Sequence, residues 1–199
     1  MTITYPVKQG IYVNMTNRCP CACTFCLRQN GPGVYGSDPL WLEREPTVQE
    51  VCDSLEGWDL EQKQEVVFCG YGEPFCALDV LLEVCRWLRE HTRLRTRINT
   101  NGLGDLIQGK ATSPLLQGLV DAVSISLNTS DPAYYLKLCH PSFGEAAYGA
   151  MLQFAQDCKQ YVPEVKFSVV DVIPEEDIQG CQKLSQRLGV PLRVRHFVS

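Results

Sequence analysis

No apolar run in this 199-residue chain approaches the roughly 20 residues that a membrane-crossing helix needs. The opening residues, Met1-Thr2-Ile3-Thr4-Tyr5-Pro6, lack the basic and apolar segments of a secretory signal. Basic charge is not in excess either. Eighteen lysines and arginines stand against 23 aspartates and glutamates, a formal charge of −5. Phosphate binding leaves a basic footprint, so this balance argues against nucleic acid as a partner. A disulfide framework is also missing, since the eleven cysteines are an odd number. Seven of them, Cys52, Cys69, Cys76, Cys85, Cys139, Cys158 and Cys181, are scattered through apolar segments, as expected of small buried hydrophobes in a reducing compartment. No repeat, low-complexity tail or internal boundary divides the chain. These absences predict one soluble, cytoplasmic domain over residues 1–199, long enough to bury a core.

What is present is concentrated. The other four cysteines fall within eight residues, in Asn17-Arg18-Cys19-Pro20-Cys21-Ala22-Cys23-Thr24-Phe25-Cys26-Leu27-Arg28. Cys19, Cys23 and Cys26 have the spacing C-x3-C-x2-C, and thiolates this close along the chain can converge on one inorganic centre. Three ligands on a four-iron cluster leave one iron open, the property that separates a catalytic metal site from a closed structural one. Taken alone, the four cysteines also allow a zinc knuckle with Cys21 as fourth ligand, or a closed cluster.

Around this loop, β-like and helical patterns alternate about six times. Strands are predicted at Ile11–Met15, Glu65–Cys69, Arg95–Asn99, Ala122–Leu127, Lys166–Val170 and Leu192–Phe197, from β-branched, aromatic or alternating runs. Between them lie helical stripes. Thr47-x-x-Glu50 reads as a capping box before Val48, Val51, Cys52 and Leu55, and Leu78 to His91 carries leucines at helical period. Asp131-Pro132 and Pro174-Glu175-Glu176-Asp177 open two further helices, the second ending at Gly189. Repeated βα units imply a parallel sheet with helical crossovers, an α/β fold. The glycine-rich and polar stretches follow strands rather than helices, on the face where such folds build their sites.

Two strand ends carry these chemical signals. Cys19-x3-Cys23-x2-Cys26 follows the first strand, and Gly70-Tyr71-Gly72-Glu73-Pro74 follows the second. With them the chain resembles the radical SAM superfamily over nearly its whole length. The closest likeness is to the TatD-associated radical SAM proteins. It rests on the stretches 35–46 and 67–74, on Arg97-Ile98-Asn99-Thr100-Asn101-Gly102, on Ser124-Ile125-Ser126-Leu127-Asn128 and on Val169-Val170-Asp171-Val172-Ile173-Pro174. The resemblance implies a partial (β/α)6 barrel of the radical SAM type, a [4Fe-4S] cluster on Cys19, Cys23 and Cys26, and S-adenosylmethionine as second cofactor. It further implies reductive cleavage of that cofactor to methionine and a 5′-deoxyadenosyl radical that abstracts a hydrogen atom. An electron donor such as flavodoxin or ferredoxin is then needed, and the narrower likeness implies association with a TatD-type hydrolase.

By the same resemblance Gly70, Gly72 and Glu73 are expected to bind the cofactor, the glycines by letting backbone approach it. Asn101, Ser126, Asn128 and Asp171, each at a strand end, are expected to contribute cofactor contacts. No catalytic residue is assigned. Cys21 is expected to be a bystander within the cluster loop at 17–28, and residues 29–46 form a possible lid over a small-molecule substrate. Arg193 and Arg195 share a face of the last strand. They either protect an exposed edge or, if that face points inward, clamp a carboxylate or phosphate. Two other functions compete with a small-molecule radical enzyme. One is an activase that generates a radical on a partner protein, and the other is a non-catalytic iron–sulfur or zinc module.

Overall fold

Each predicted strand forms, and one more precedes them. The computed structural model describes residues 1–34 and 36–197. Tyr35, within both the expected lid and a resemblance stretch, lies outside the described residues, as do Val198 and Ser199. The strands are β1 Thr4–Val7, β2 Gly10–Val13, β3 Glu65–Phe68, β4 Arg95–Thr100, β5 Ala122–Ser126, β6 Glu164–Val170 and β7 Leu192–Arg195. The helices are α1 Val48–Glu56, α2 Leu78–His91, α3 Gly104–Gln108, α4 Pro132–Cys139, α5 Ala146–Cys158 and α6 Glu175–Leu188. The strands order β1-β2-β3-β4-β5-β6-β7 in one open sheet. β1 pairs antiparallel with β2, and every other pairing is parallel.

Local chemistry accounts for most element ends. Thr47 and Glu50 exchange the two bonds of the capping box at α1. Asp131 accepts from Tyr134 N at 2.8 Å to start α4, and Gly189 closes α6 in the left-handed conformation at φ 61°. The expectation missed β1, whose Pro6 discounts a strand reading. Pro6 sits on an edge strand, the place in a sheet that tolerates a missing amide donor. It also missed the short α3. The first strand ends at Val13 rather than Met15, and the last at Arg195 rather than Phe197.

Sequential strand order has a geometric consequence. Right-handed crossovers that always step in one direction place every helix on the same face, so the sheet curls around its other face into a partial barrel. Side chains sort accordingly. Ile11, Val66, Phe68, Ile98, Val123, Ile125, Phe167 and Val169 face the helices and are fully buried. The alternate residues line the concave face, among them Tyr12, Cys69, Arg97, Asn99, Ser124, Ser126, Lys166, Ser168 and Arg195. Most of these keep partial exposure. At the N-terminal end of the strands ion pairs close the interior: Glu65 takes two bonds from Arg97, at 2.6 and 3.0 Å, and Glu164 pairs with Arg95 and Lys166. The C-terminal end holds the cysteine loop.

Candidate active site around the cysteine loop

The loop leaves β2 through Asn14, Met15 and Thr16, and polar side chains fix this approach. Asn14 is fully buried. It donates from Nδ2 to Leu40 O at 2.7 Å and accepts at Oδ1 from Tyr71 N. Asn17 brackets Leu42 with one bond in each direction. Arg18 pairs with Glu45 and donates to Cys76 O. Residues 40–45, the distal part of the expected lid, are thereby tied to the chain that carries the cysteines. The loop is also tied to the end of α4: Ala22 N donates to Cys139 O at 3.0 Å, Thr24 N to Leu138 O at 2.9 Å, and Ser142 N to Pro20 O at 2.8 Å.

Gly70 and Gly72 have a clear packing reason. A Cβ on Gly70 would lie 2.1 Å from Asn14 Oδ1, and one on Gly72 would lie 2.2 Å from Thr16 O and 2.7 Å from Arg18 O. The turn after β3 is pressed against the chain entering the cysteine loop, which leaves no room for any side chain there. Gly70 thus makes room for the Asn14 side chain and Gly72 for the carbonyls of Thr16 and Arg18. Glu73 has a related job. Its carboxylate accepts from Thr100 Oγ1 at 2.7 Å, Asn101 N at 2.8 Å and Phe75 N at 3.2 Å, while its own amide donates to Arg18 O. It braces the turns after β3 and β4 together beneath the loop.

Burial pushes the Glu73 carboxyl up to about 7 from an ordinary 4.5, against the opposing pull of those three bonds. The folded chain therefore holds this proton more tightly than the unfolded chain. The stabilisation from this group is complete below pH 4.5 and is lost as pH rises to about 7. The loss is on the order of 3 kcal/mol. Urea titrations of the metal-free chain at pH 5 and pH 7.5 should show this decline, and Glu73→Gln should flatten it. An identical pH slope in the two proteins would show that Glu73 is already ionised at pH 5.

The sulfurs stand close together. Cys21 N donates to Cys19 Sγ at 3.5 Å, and Cys21 neighbours both Cys19 and Cys23, while Cys139 neighbours Cys23. Thiols this close favour a thiolate on one member at the expense of the next: Cys19 and Cys23 are shifted down, Cys21 and Cys139 up, and burial raises Cys26. Among the described residues no three histidine, cysteine or acidic side chains are already gathered as a metal site. The donor set nonetheless suits an iron–sulfur centre. Soft thiols stand on one short loop, two of them held low, and the buried Asn128 Oδ1 beside Cys139 has no partner among the described residues.

The expected cofactor residues separate into groups. Asn101 joins the sulfurs, its Nδ2 lying 3.9 Å from Cys19 Sγ and 3.7 Å from Cys21 Sγ, while its Oδ1 accepts from Leu103 N. Asn128 holds φ 65° and donates to Cys139 Sγ at 3.2 Å. Ser126 lines the concave face opposite Ser168 in the β5–β6 register. Asp171 is engaged elsewhere, with His196 Nδ1 at 2.6 Å and Phe197 N at 2.7 Å on its two oxygens. It fastens the end of β7, and His196 lowers its carboxyl. Cys139 is the member of the sulfur group that sequence reasoning placed with the scattered seven. Nothing in its own neighbours signals the approach, which depends on where α4 ends. Asn14 and Thr100 were also missed: Asn14 follows β2 with no signal of its own, and Thr100, inside the stretch 97–102, was read as a strand end rather than as a partner of Glu73.

The structure thus combines an open α/β barrel with a four-cysteine loop at the C-terminal strand ends. The radical SAM superfamily model matches residues 13–187, and the chain belongs to that superfamily. A search of curated proteins finds no match. Among solved structures, the chain is similar to Streptococcus suis SuiB bound to the precursor peptide SuiA, with TM-score 0.68 and 15% identity over 96% of this chain and 39% of that one. It is also similar to a radical SAM methyltransferase from Sphaerobacter thermophilus, with TM-score 0.68 and 15% identity over 97% and 68%. A third is anSMEcpe with bound AdoMet, with TM-score 0.68 and 15% identity over 94% and 51%. The chain thus spans about two-fifths of SuiB and half of anSMEcpe. No helix among the described residues is long and apolar enough to cross a membrane.

Proposed function

We propose that this chain is a radical SAM enzyme whose Cys19, Cys23 and Cys26 hold a [4Fe-4S] cluster and whose concave face receives S-adenosylmethionine and a small substrate. The observation that carries the reading is the sulfur group itself. Cys19, Cys21 and Cys23 stand together at the C-terminal mouth of the barrel, with Asn101 Nδ2 against Cys19 and Cys21 and the orphaned Asn128 Oδ1 beside Cys139. When bound, the cluster supplies the electron that cleaves S-adenosylmethionine to methionine and a 5′-deoxyadenosyl radical. The chain's part is to position and to shield. Gly70 and Gly72 set the height of the loop, Glu73 braces it, and residues 40–45, hooked to Asn14, Asn17 and Arg18, cover one side. Asn101, Ser126 and Asn128 supply the polar contacts, and the engaged Asp171 is the weakest member of the expected set.

The test is anaerobic reconstitution with iron and sulfide, reduction, and assay for 5′-deoxyadenosine. Formation of 5′-deoxyadenosine that requires Cys19, Cys23 and Cys26 supports the reading. A zinc-loaded protein whose spectrum ignores S-adenosylmethionine would make it a non-catalytic module. An activase acting on a partner protein would leave a radical signal on that partner. A flavodoxin or ferredoxin as electron donor, and a TatD-type hydrolase as functional associate, complete the proposal. Pull-down with the hydrolase and reduction assays with each donor test them separately.

A further inference from the structure

The polar lining of the barrel is unevenly committed. Every carboxylate on or near the concave face already has a protein partner: Glu65 has Arg97, Glu164 has Arg95 and Lys166, Glu73 has its three donors, and Asp171 has His196. The groups left over are donors. The side chains of Arg193 and Arg195 make no ion pair or hydrogen bond among the described residues. Arg195 Nε is sealed from water without a partner. The hydroxyls of Ser126 and Ser168 are likewise unpartnered there. These groups are neighbours by register, Ser126 opposite Ser168, Ser168 opposite Arg193, and Val170 opposite Arg195. All project to the concave face. Burial raises the Cys69 thiol at the end of β3, and the charge of Arg195 across the interior opposes that rise only in part. A chain with a net charge of −5 thus leaves the Arg195 guanidinium unopposed on the concave face, with the exposed Arg193 beside it.

We infer that Arg195, with Arg193, Ser168 and Ser126, forms a binding site for an oxyanion carried by the substrate, a carboxylate or a phosphate. The inference rests on the proposed radical function and names the substrate class of that same site. A buried guanidinium N–H without an acceptor is costly, and a charge-assisted bond to an oxyanion removes that cost. A planar fork beside hydroxyl donors suits an oxyanion better than a neutral or cationic group. The competing source of the same chemistry is the carboxylate of S-adenosylmethionine.

The experiment uses the reconstituted full chain, with inorganic phosphate and acetate as probes at constant ionic strength. Binding is followed by thermal shift, and for phosphate also by 31P line broadening. Saturable binding by the wild type, weakened about tenfold or more in Arg195→Met and partly restored in Arg195→Lys, is the expected result. S-adenosylmethionine affinity by equilibrium dialysis should stay within twofold in Arg195→Met, by order of magnitude of an untouched site. If Arg195→Met fails to fold, Ser168→Ala takes its place, with a smaller loss of anion binding expected. Absence of saturable binding by the wild type overturns the inference, as does equal binding by the variants. An S-adenosylmethionine affinity that falls together with anion binding also overturns it, because the guanidinium then serves the cofactor. Failure of the radical reading would appear separately, as anion binding that depends on Arg195 in a protein that makes no 5′-deoxyadenosine.

Discussion

Replacing Cys23 by alanine is expected to abolish iron loading and 5′-deoxyadenosine formation, whereas Cys21→Ala is expected to retain both. The two residues are two positions apart in one sulfur group, but only Cys23 falls in the C-x3-C-x2-C spacing that the resemblance assigns to the cluster. Their surroundings pull the same way: the contacts with Cys139 and Cys21 shift Cys23 down, toward the thiolate that iron requires, whereas those with Cys19 and Cys23 shift the buried Cys21 up. Loss of a ligand from a three-cysteine site leaves too few thiolates to hold a cubane, and the expected loss of 5′-deoxyadenosine formation is at least about a thousandfold, the scale of losing an essential catalytic component. Iron analysis with the visible spectrum of the reconstituted variants checks the first half. Chromatography of 5′-deoxyadenosine checks the second. Loss of both signals in a correctly folded Cys21→Ala protein would move the third ligand from the C-x3-C-x2-C set to Cys21.

Gly72→Ala is expected to be the most damaging single-methyl change in the chain. Its Cβ would sit 2.2 Å from one backbone carbonyl oxygen and 2.7 Å from another, and neither can move as a side-chain tip would. Relief requires the turn after β3 to withdraw from Thr16 and Arg18, which breaks the Glu73 N to Arg18 O bond and shifts the cysteine loop. The cost is about 3 kcal/mol or more, on the scale of overpacking against a rigid wall. Chemical denaturation should show that loss, with a matching fall in iron uptake. Gly149→Ala, where a methyl meets nothing within 4 Å in α5, is the control and should be neutral or stabilising. A Gly72→Ala protein of normal stability and normal iron content would mean that the turn adapts.

The sequence was readable where structure is local or periodic. The alternation of β-like and helical runs predicted the parallel sheet, because a crossover helix and its strand each carry their own pattern. The cysteine loop as a unit was readable because its four cysteines lie within eight residues of chain. Long-range relations were not. Cys139 reaches Cys23 only because α4 stops where it does, and Asn14 matters only because β2, Leu40 and Tyr71 meet around it. The motif Gly70-Tyr71-Gly72-Glu73-Pro74 marked a turn whose packing partners its residues did not disclose. Its glycines make room for residues 14–18 and its glutamate spends itself on β4. β1 was hidden by Pro6, and the inward aim of Arg195 by the open alternative of an exposed edge.

The ties from Asn14, Asn17 and Arg18 to Leu40, Leu42 and Glu45 make cover and cysteine loop one mechanical piece. Order in one is order in the other. An ion that fixes the loop therefore bears part of the entropic cost of folding the cover, and a molecule that settles under the cover tightens the loop in return, by the reciprocity of linked equilibria. The chain thereby acquires a built-in sequence of assembly, in which an unloaded chain is also a loosely covered one.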